Sequence, residues 1–273
     1  MRIAGIPRNP KNSPNMSDKD MQLFHEIAEE LKKAGHSVEV LGEEEHIPNG
    51  YDAIFHMSRT TSTLKKLAEC EAKGTFVTNP ARGVRNCSRK NFVELLKSNS
   101  IRQPEYTIIS TVHSNCEMPQ LPGWLKKSEG WACKATDVQF VATEKEYTQA
   151  LETLATNGVS EAIFCKHIEG DIVKFYAIRG EEFFRWHYPD ITTTKFGLEK
   201  INGEPQRYKF STEQLRETAL RAAAAMNIDI FGGDCIITAK GEIYIIDIND
   251  FPSFSSYRSE AAKEIASLIT KRR

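Results

Sequence analysis

The polar residues of one predicted hairpin near the C-terminus could hold a hard metal ion. Asp247 and Asn249 lie two residues apart among isoleucines, so in a strand their side chains leave the same face. Asp234 begins a second apolar strand, and a turn near Lys240 and Gly241 would bring it opposite the Asp247 end. Carboxylate and amide oxygens are donors that suit Mg²⁺. The spacing therefore predicts Asp234, Asp247 and Asn249 as metal ligands.

A second interpretation is that these three residues bind no metal and form the solvent-exposed polar face of a hairpin. The surrounding isoleucines argue against it, because carboxylates on a buried sheet are costly without a cation beside them. Asp250 is a weaker candidate ligand, since strand alternation points it to the apolar face or into the turn before Pro252.

Four basic residues form a candidate anion site. Lys90 opens a predicted helix, and Lys134 ends a short predicted strand at 131–134. Lys174 and Arg185 occupy two successive predicted strands, joined by a hairpin turn at 179–181. Lys174 is flanked by apolar residues, where a lysine that faces a polar pocket is more natural than one in solvent. Because each cation alone is most often a surface residue, their convergence is a hypothesis.

Alternating strands and helices must position these groups. In the first third, four short apolar runs alternate with helical patterns that end at Gly35 and Gly74, which predicts an α/β layer with a mostly parallel sheet. The stretch 112–130 is polar and broken by Pro119, Pro122 and Gly123, so no regular element is expected there. The remaining predicted elements are helices at 88–96, 147–155, 212–226 and 259–269, and strands at 106–109, 162–165, 172–178, 182–186, 235–238 and 242–248.

Composition excludes several classes of protein. The 273 residues carry 36 Lys and Arg against 37 Asp and Glu, so there is no whole-protein field to attract nucleic acid or an anionic membrane. No apolar run reaches the roughly 18 residues of a spanning helix, which predicts a cytoplasmic protein. The six cysteines lie far apart and lack the spacing of zinc ligands. We therefore expect them to be small, buried apolar side chains of a protein in a reducing compartment.

Several of these motifs resemble those of the ATP-grasp superfamily, over nearly the whole chain. The hairpin GGDCII…GEIYIIDINDFP is similar to the family's closing magnesium signature, and CKHIEGDIVKFYAI is similar to its adenine-binding hinge and the strand that follows. NCSRKNF and WACK resemble the two segments that bear phosphate-binding lysines. The resemblance implies an N-terminal α/β domain at 1–85, a small α+β subdomain at 86–170 and a large α+β subdomain at 171–273.

The resemblance also implies roles for individual residues. Asp234, Asp247 and Asn249 would hold the Mg²⁺ of Mg-ATP, two ions in this family, with Mn²⁺ as a possible substitute. Lys174 and Arg185 would meet the γ-phosphate and the acceptor as the catalytic cations. The nucleotide would be bound by Lys90, Lys134, Cys165, Lys166, His167, Ile168 and Glu169, with Glu169 on the ribose hydroxyls.

Three functions follow from the resemblance. The leading one is a carboxylate–amine ligase of the ribosomal-protein-modification type, which phosphorylates a small-molecule carboxylate before an amine attacks it. The second is a kinase of a polyol such as an inositol phosphate, since the Asp of DIN, the following Phe-Pro and VKFYAI are similar to that branch. The third is a catalytically silent nucleotide-binding module, because ATDVQFVATE lacks the glycines of the family's flap. The sequence does not indicate an oligomeric state.

Overall fold

The computed structural model describes residues 1–13, 16–112, 117–131, 134–190 and 198–271. Within these residues the strands form one parallel and two antiparallel sheets of four strands each, and each sheet comes from one successive part of the chain. The predicted α/β class with a parallel N-terminal layer is confirmed. Among the described helices, none combines the length and the apolar character needed to cross a bilayer.

The N-terminal layer is a parallel sheet with helices on its faces. Its strands are β1 (Arg2–Ile6), β2 (Ser37–Val40), β3 (Ala53–His56) and β4 (Phe76–Thr78), in the order β2-β1-β3-β4. Helix α1 (Ser17–Lys33) buries an apolar stripe at helical spacing, as the sequence predicts, and α2 (Thr61–Ala72) follows β3. Gly5 leaves room for the rings of Phe55 and Phe24 in the core, because a Cβ at this position would lie within 2.9 Å of both rings.

The second sheet is antiparallel. Two short helices, α3 (Ala81–Asn86) and α4 (Arg89–Ser98), lead into it. Its order is β5-β8-β6-β7, and strand β6 falls inside the stretch predicted to be irregular, so that prediction is wrong. The strands are β5 (Tyr106–Ser110), β6 (Gly123–Lys127), β7 (Val138–Val141) and β8 (Glu161–Lys166), and α5 (Glu144–Thr156) packs on the sheet.

The third sheet contains both predicted hairpins. Its strands are β9 (Asp171–Ile178), β10 (Phe184–His187), β11 (Ile230–Ile237) and β12 (Ile243–Asp250), in the order β10-β9-β11-β12. Helix α6 (Thr212–Met226) packs with α4 on this sheet, and α7 (Arg258–Lys271) packs against α1 of the N-terminal layer. Because β11 begins at Ile230, Asp234 lies in mid-strand rather than at the strand start that the sequence predicts.

The N-terminal layer and the third sheet are joined by the buried side chain of Asn79. Its Oδ1 accepts hydrogen bonds from the backbone N–H groups of Asp229 and Ile230 at 2.9 and 2.8 Å, and its Nδ2 donates to the carbonyl of Ile230 at 2.7 Å. Asn79 is 1% exposed. These three bonds satisfy backbone groups that water cannot reach at the start of β11.

Replacement of this side chain tests the connection. Asn79→Ala leaves two buried backbone donors unsatisfied, whereas the Ile230 carbonyl keeps its bond from the Phe251 N–H at 3.0 Å, and we expect the free energy of unfolding to fall by about 2–4 kcal/mol. Asn157→Ala is the matched control, because Asn157 is exposed at the end of α5 and hydrogen-bonds only its own helix. Urea unfolding of both variants measures the difference; a loss below about 1 kcal/mol for Asn79→Ala would contradict the assignment.

Candidate active site

A cleft of about 630 Å³ lies where the three sheets meet. Its floor is the third sheet, one wall is the second sheet, and the other wall is the N-terminal layer. The side chains that line it include those of Arg8, Asp20, Arg59, Arg89, Trp124, Lys126, Trp131, Cys165, Lys166, Ile168, Lys174, Tyr176, His187, Asp234, Asp247, Asn249, Ser253 and Ser255.

A row of four polar residues crosses the floor of the cleft, one from each strand of the third sheet. His187 is paired with Lys174, Lys174 with Asp234, and Asp234 with Asp247. Directly paired residues of antiparallel strands point to the same face, so all four side chains face the cleft. Lys174 Nζ lies 2.9 Å from Asp234 Oδ1, at a position where both side chains are 24% exposed.

The predicted metal ligands lie together at one end of this row. Asp234 and Asp247 are direct cross-strand partners, and Asn249 is opposite Gly232 in the next pair on the same face. Asn249 Nδ2 donates to Asp247 Oδ2 at 3.1 Å. Two carboxylates and an amide oxygen side by side, open to a cleft, fit a hard divalent cation such as Mg²⁺.

The predicted hinge contributes only part of its residues to the cleft. Cys165, Lys166 and Ile168 line it. His167 instead accepts a hydrogen bond from Trp124 Nε1 at 3.1 Å, and burial lowers its pKa. Glu169 is exposed and does not line the cleft, so the geometry does not support the predicted ribose contact.

The cation from helix α4 that lines the cleft is the neighbour of the predicted one. Lys90 Nζ lies 3.0 Å from Glu161 Oε2 in a partly exposed ion pair outside the cleft. Arg89, the first residue of α4, lines the cleft. The NCSRKNF motif carries two adjacent basic residues, and only the packing of α4 decides which of them faces inward.

The cation from the second sheet also differs from the predicted one. Lys134 is exposed and outside the cleft lining, and Ala132 and Cys133 of the predicted strand lie outside the described residues. Strand β6 instead brings Trp124 and Lys126 into the cleft from one face. The signal that could have found this strand is the alternation in GWLKK, which begins directly after Pro122, a position where proline is tolerated.

Arg185 lies on the cleft face of the third sheet but beyond the end of the cleft. It is paired with Tyr176 in β9, and its guanidinium forms an ion pair with Glu260 of α7 and lies over the Phe183 ring. The predicted contact between Arg185 and an acceptor therefore lacks support, because α7 supplies the partner of this cation.

The wall opposite the hinge contains a buried ion network that the sequence did not predict. Asp250 is 1% exposed, and Arg59 Nη2 lies 2.7 Å from its Oδ1, with Arg8 Nη2 3.8 Å from Oδ2. Arg8 Nε lies 3.1 Å from Asp20 Oδ2, and Ser13 donates to the same carboxylate at 2.6 Å. Burial raises the pKa of Asp250, but the two guanidinium groups outweigh it and hold the pKa below its usual value.

His56 lies beside this network in a fully buried position. Its Nε2 donates to the carbonyl of Asn79 at 2.7 Å, and its Nδ1 has no hydrogen-bond partner among the described residues, as expected for a neutral ring. Burial, the largest effect, lowers its pKa to about 4.

The pH dependence of stability tests this assignment. Because the folded pKa lies below the unfolded value near 6.5, the unfolded state binds more protons between pH 6.5 and 4, and stability falls as the pH falls through that range. The contribution of His56 over this window is about 3 kcal/mol, and His56→Gln should lack it. Urea unfolding at pH 7, 6, 5 and 4 measures the slope. His25→Gln, at an exposed position of α1, should retain the wild-type slope, and an unchanged slope in His56→Gln would contradict a neutral buried His56.

Comparisons with known proteins agree with this architecture. No protein-family model matches the chain. A probable alpha-L-glutamate ligase from Aeromonas salmonicida is 22% identical, and the alignment covers 98% of this chain and 95% of that protein. A D-alanine–D-alanine ligase from Bacillus anthracis, solved in complex with ATP, superposes with a TM-score of 0.69 at 14% identity over 99% of this chain and 96% of that chain. An ATP-grasp RimK domain protein from Sphaerobacter thermophilus gives 0.68 at 15% identity over 99% of this chain and all of the other.

These likenesses cover 98–99% of the chain, a span that includes all three sheets. The resemblance to the ATP-grasp proteins that the motifs indicate is thereby confirmed, and the chain has the ATP-grasp fold.

Proposed function

We propose that this chain is an Mg-ATP-dependent carboxylate–amine ligase that acts on small molecules through an acylphosphate. The observation that carries the proposal is the row of Lys174, Asp234 and Asp247, with Asn249 beside it, on the floor of a cleft whose wall is the hinge. Each of the three predicted domains would have one part in this site. Domain 1–85 would form the wall that binds the acceptor, domain 86–170 would cover the nucleotide, and domain 171–273 would form the floor of the cleft.

ATP would lie between the second and third sheets. Cys165, Lys166 and Ile168 line the part of the cleft that would receive adenine, and Arg89 and Lys126 are the cations that would meet the phosphates. Guanidinium and ammonium groups offset the charge of phosphate oxygens and are hydrogen-bond donors to them. Gly130 and Trp131, in the loop after β6, also line the cleft and would cover the triphosphate.

Asp234, Asp247 and Asn249 would hold Mg²⁺, as one or two ions. When bound, the metal supplies positive charge that neutralises the phosphate oxygens and orients the triphosphate. Lys174 is next to this set and would contact the γ-phosphoryl group as it transfers, which requires Lys174 to exchange part of its contact with Asp234 for one with phosphate.

The chemistry requires no nucleophilic side chain. A carboxylate oxygen of the acceptor would attack the γ-phosphorus, the bond to the β–γ bridging oxygen would break, and ADP would leave. An amine would then attack the acyl carbon, and phosphate would leave with the electrons of the C–O bond. The protein would hold both acceptors in place and exclude water, which otherwise hydrolyses the acylphosphate.

The names of the relatives support a ligase that acts on amino acids. The Aeromonas relative is described as a probable alpha-L-glutamate ligase and the Bacillus structure as a D-alanine–D-alanine ligase. Both names are those of ligases, and both name amino acids. We therefore propose an amino acid or a short peptide as the carboxylate acceptor.

The test is ADP release from Mg-ATP with single amino acids and with pairs of them, including L-glutamate and D-alanine. Release that requires a carboxylate and an amine, with a product of the summed mass minus water, supports ligation. Release with a polyol alone would replace the ligase by a kinase. ATP binding without turnover in any mixture would favour a silent nucleotide-binding module and overturn the proposal.

The metal ligands give the first variant prediction. Asp247→Asn removes one of two carboxylates, and we expect ADP release to fall by about 100-fold or more, because charge compensation at the phosphates is lost. Glu242→Gln is the matched control on the same hairpin, since Glu242 pairs with Arg102 at the exposed far end. Steady-state ADP assays measure both, and wild-type turnover in a folded Asp247→Asn protein would overturn the metal assignment.

Two adjacent residues give the second prediction. Arg89→Met removes a cation from the cleft, and we expect the Kd of ATP to rise about tenfold, which corresponds to about 1.4 kcal/mol. Lys90→Met removes the neighbouring charge, which pairs with Glu161 outside the cleft, and should change the Kd less than about twofold. Calorimetric titration with a non-hydrolysable ATP analogue and Mg²⁺ compares them, and the reverse ranking would restore Lys90 as the phosphate ligand.

A further inference from the structure

Four polar residues form a row across the floor of the cleft, and the proposed function gives no role to one of them, His187. It ends β10, opposite Lys174, and lines the cleft on the far side of Lys174 from the metal ligands. Cross-strand partners lie about 5 Å apart, so His187 is about two strand spacings from Asp234. It therefore borders the proposed γ-phosphoryl site on the side away from the metal ligands.

The His187 ring is held in one orientation by two tyrosines. It stacks on Tyr176 with ring centroids 5.7 Å apart and an interplanar angle of 17°. The Tyr257 ring packs against it at 5.8 Å, and the Tyr257 hydroxyl lies 3.4 Å from both His187 Nδ1 and the backbone carbonyl of Trp186. Stacking and hydrogen bonding together limit the rotamers available to the imidazole.

The contacts of the Tyr257 hydroxyl also assign the imidazole tautomer. A carbonyl oxygen only accepts, so the hydroxyl hydrogen goes to Trp186 and its lone pair accepts from Nδ1–H. In the neutral ring Nε2 then carries the lone pair. No other side-chain hydrogen bond of His187 occurs among the described residues, so Nε2 is the nitrogen left for a ligand.

The surroundings favour the neutral form of His187. Burial, the largest effect, and the nearby ammonium of Lys174 lower its pKa, while Asp234 acts in the opposite direction. The rings of Tyr176 and Tyr257, which carry titratable hydroxyls, also pack against it. Burial is also the largest of the effects that raise the pKa of Tyr176 to about 12, so that hydroxyl is uncharged.

We propose that His187 is the general base that accepts the proton of the attacking amine in the second half of the reaction. This inference rests on the proposed ligase function. The amine nitrogen forms a C–N bond to the acyl carbon of the acylphosphate, the C–O bond to phosphate breaks, and its electron pair leaves with phosphate. The proton on the nitrogen passes to His187 Nε2 and from there to solvent. A general base with a pKa below neutrality is unprotonated at pH 7 and can accept this proton.

Hydroxylamine separates this step from the phosphoryl transfer that precedes it. It is unprotonated at neutral pH and attacks acylphosphates to form hydroxamates without help from a base. With a carboxylate that supports ADP release, wild type and His187→Gln should form hydroxamate at similar rates. Amide formation with the amino acid amine should fall about 100-fold in His187→Gln, mainly in kcat, and imidazole added to His187→Ala should restore part of it.

The outcomes distinguish the two proposals. If wild type forms no hydroxamate from any carboxylate tested, the ligase function fails. If hydroxamate forms and His187→Gln makes amide at the wild-type rate, the function stands and the role of His187 is overturned. Equal losses of hydroxamate and amide would also overturn it, since they would show a structural or phosphoryl-transfer role.

Arg185→Gln is the matched control on the same strand. Arg185 lies two residues before His187 on the same face and pairs with Glu260 beyond the cleft, so amide formation should stay within about twofold of wild type. Tyr257→Phe removes the hydroxyl that holds Nδ1. It should lower amide formation several-fold without an effect on hydroxamate, because the imidazole would then lose its fixed tautomer.

Discussion

The buried carboxylate of Asp250 is the constraint on which the arrangement of the cleft depends. A charge that is 1% exposed needs partners, because an uncompensated buried carboxylate costs several kcal/mol. Both partners, Arg8 and Arg59, come from the N-terminal layer. The two pairs connect the N-terminal layer to the end of β12 and so hold it at one position on the third sheet. That position sets the wall of the cleft opposite the hinge.

Strand alternation divides β12 between this network and the floor of the cleft. Asp247 and Asn249 point into the cleft, whereas Ile248 and Asp250 alternate with them and are buried. The same strand end therefore supplies the candidate metal ligands and the anchor for the N-terminal layer. A shift of the register by one residue would exchange the two sets, which makes the pairing of β11 with β12 essential to both. Gly232, opposite Asn249, keeps this strand pair close to Tyr176 and Pro252, since a Cβ there would lie about 3.0 Å from both.

Local patterns predicted the elements better than they predicted the direction of long side chains. The helix at 212–226 and both hairpins follow from apolar periodicity and turn residues, and the structure forms them. Lys90 and Lys134 were the predicted phosphate cations, but Arg89 and Lys126 line the cleft. The first difference depends on how α4 packs against α6, a contact between residues far apart in sequence. The second difference, Lys126 in place of Lys134, arises because Pro122 and Gly123 are typical of an irregular segment. The five-residue strand there is formed through hydrogen bonds to β7 and β8.

The sequence by itself determined the α/β order, the two C-terminal hairpins and the set of Asp234, Asp247 and Asn249, because each depends on spacing within one strand or one hairpin. Only the tertiary structure decided that Lys174 and His187 continue that set into one row, that Arg185 lies beyond it against α7, and that Asp250 is neutralised by arginines more than 190 residues away. The physical reason is that register between strands and packing between layers are set by contacts across the chain, which no local pattern records.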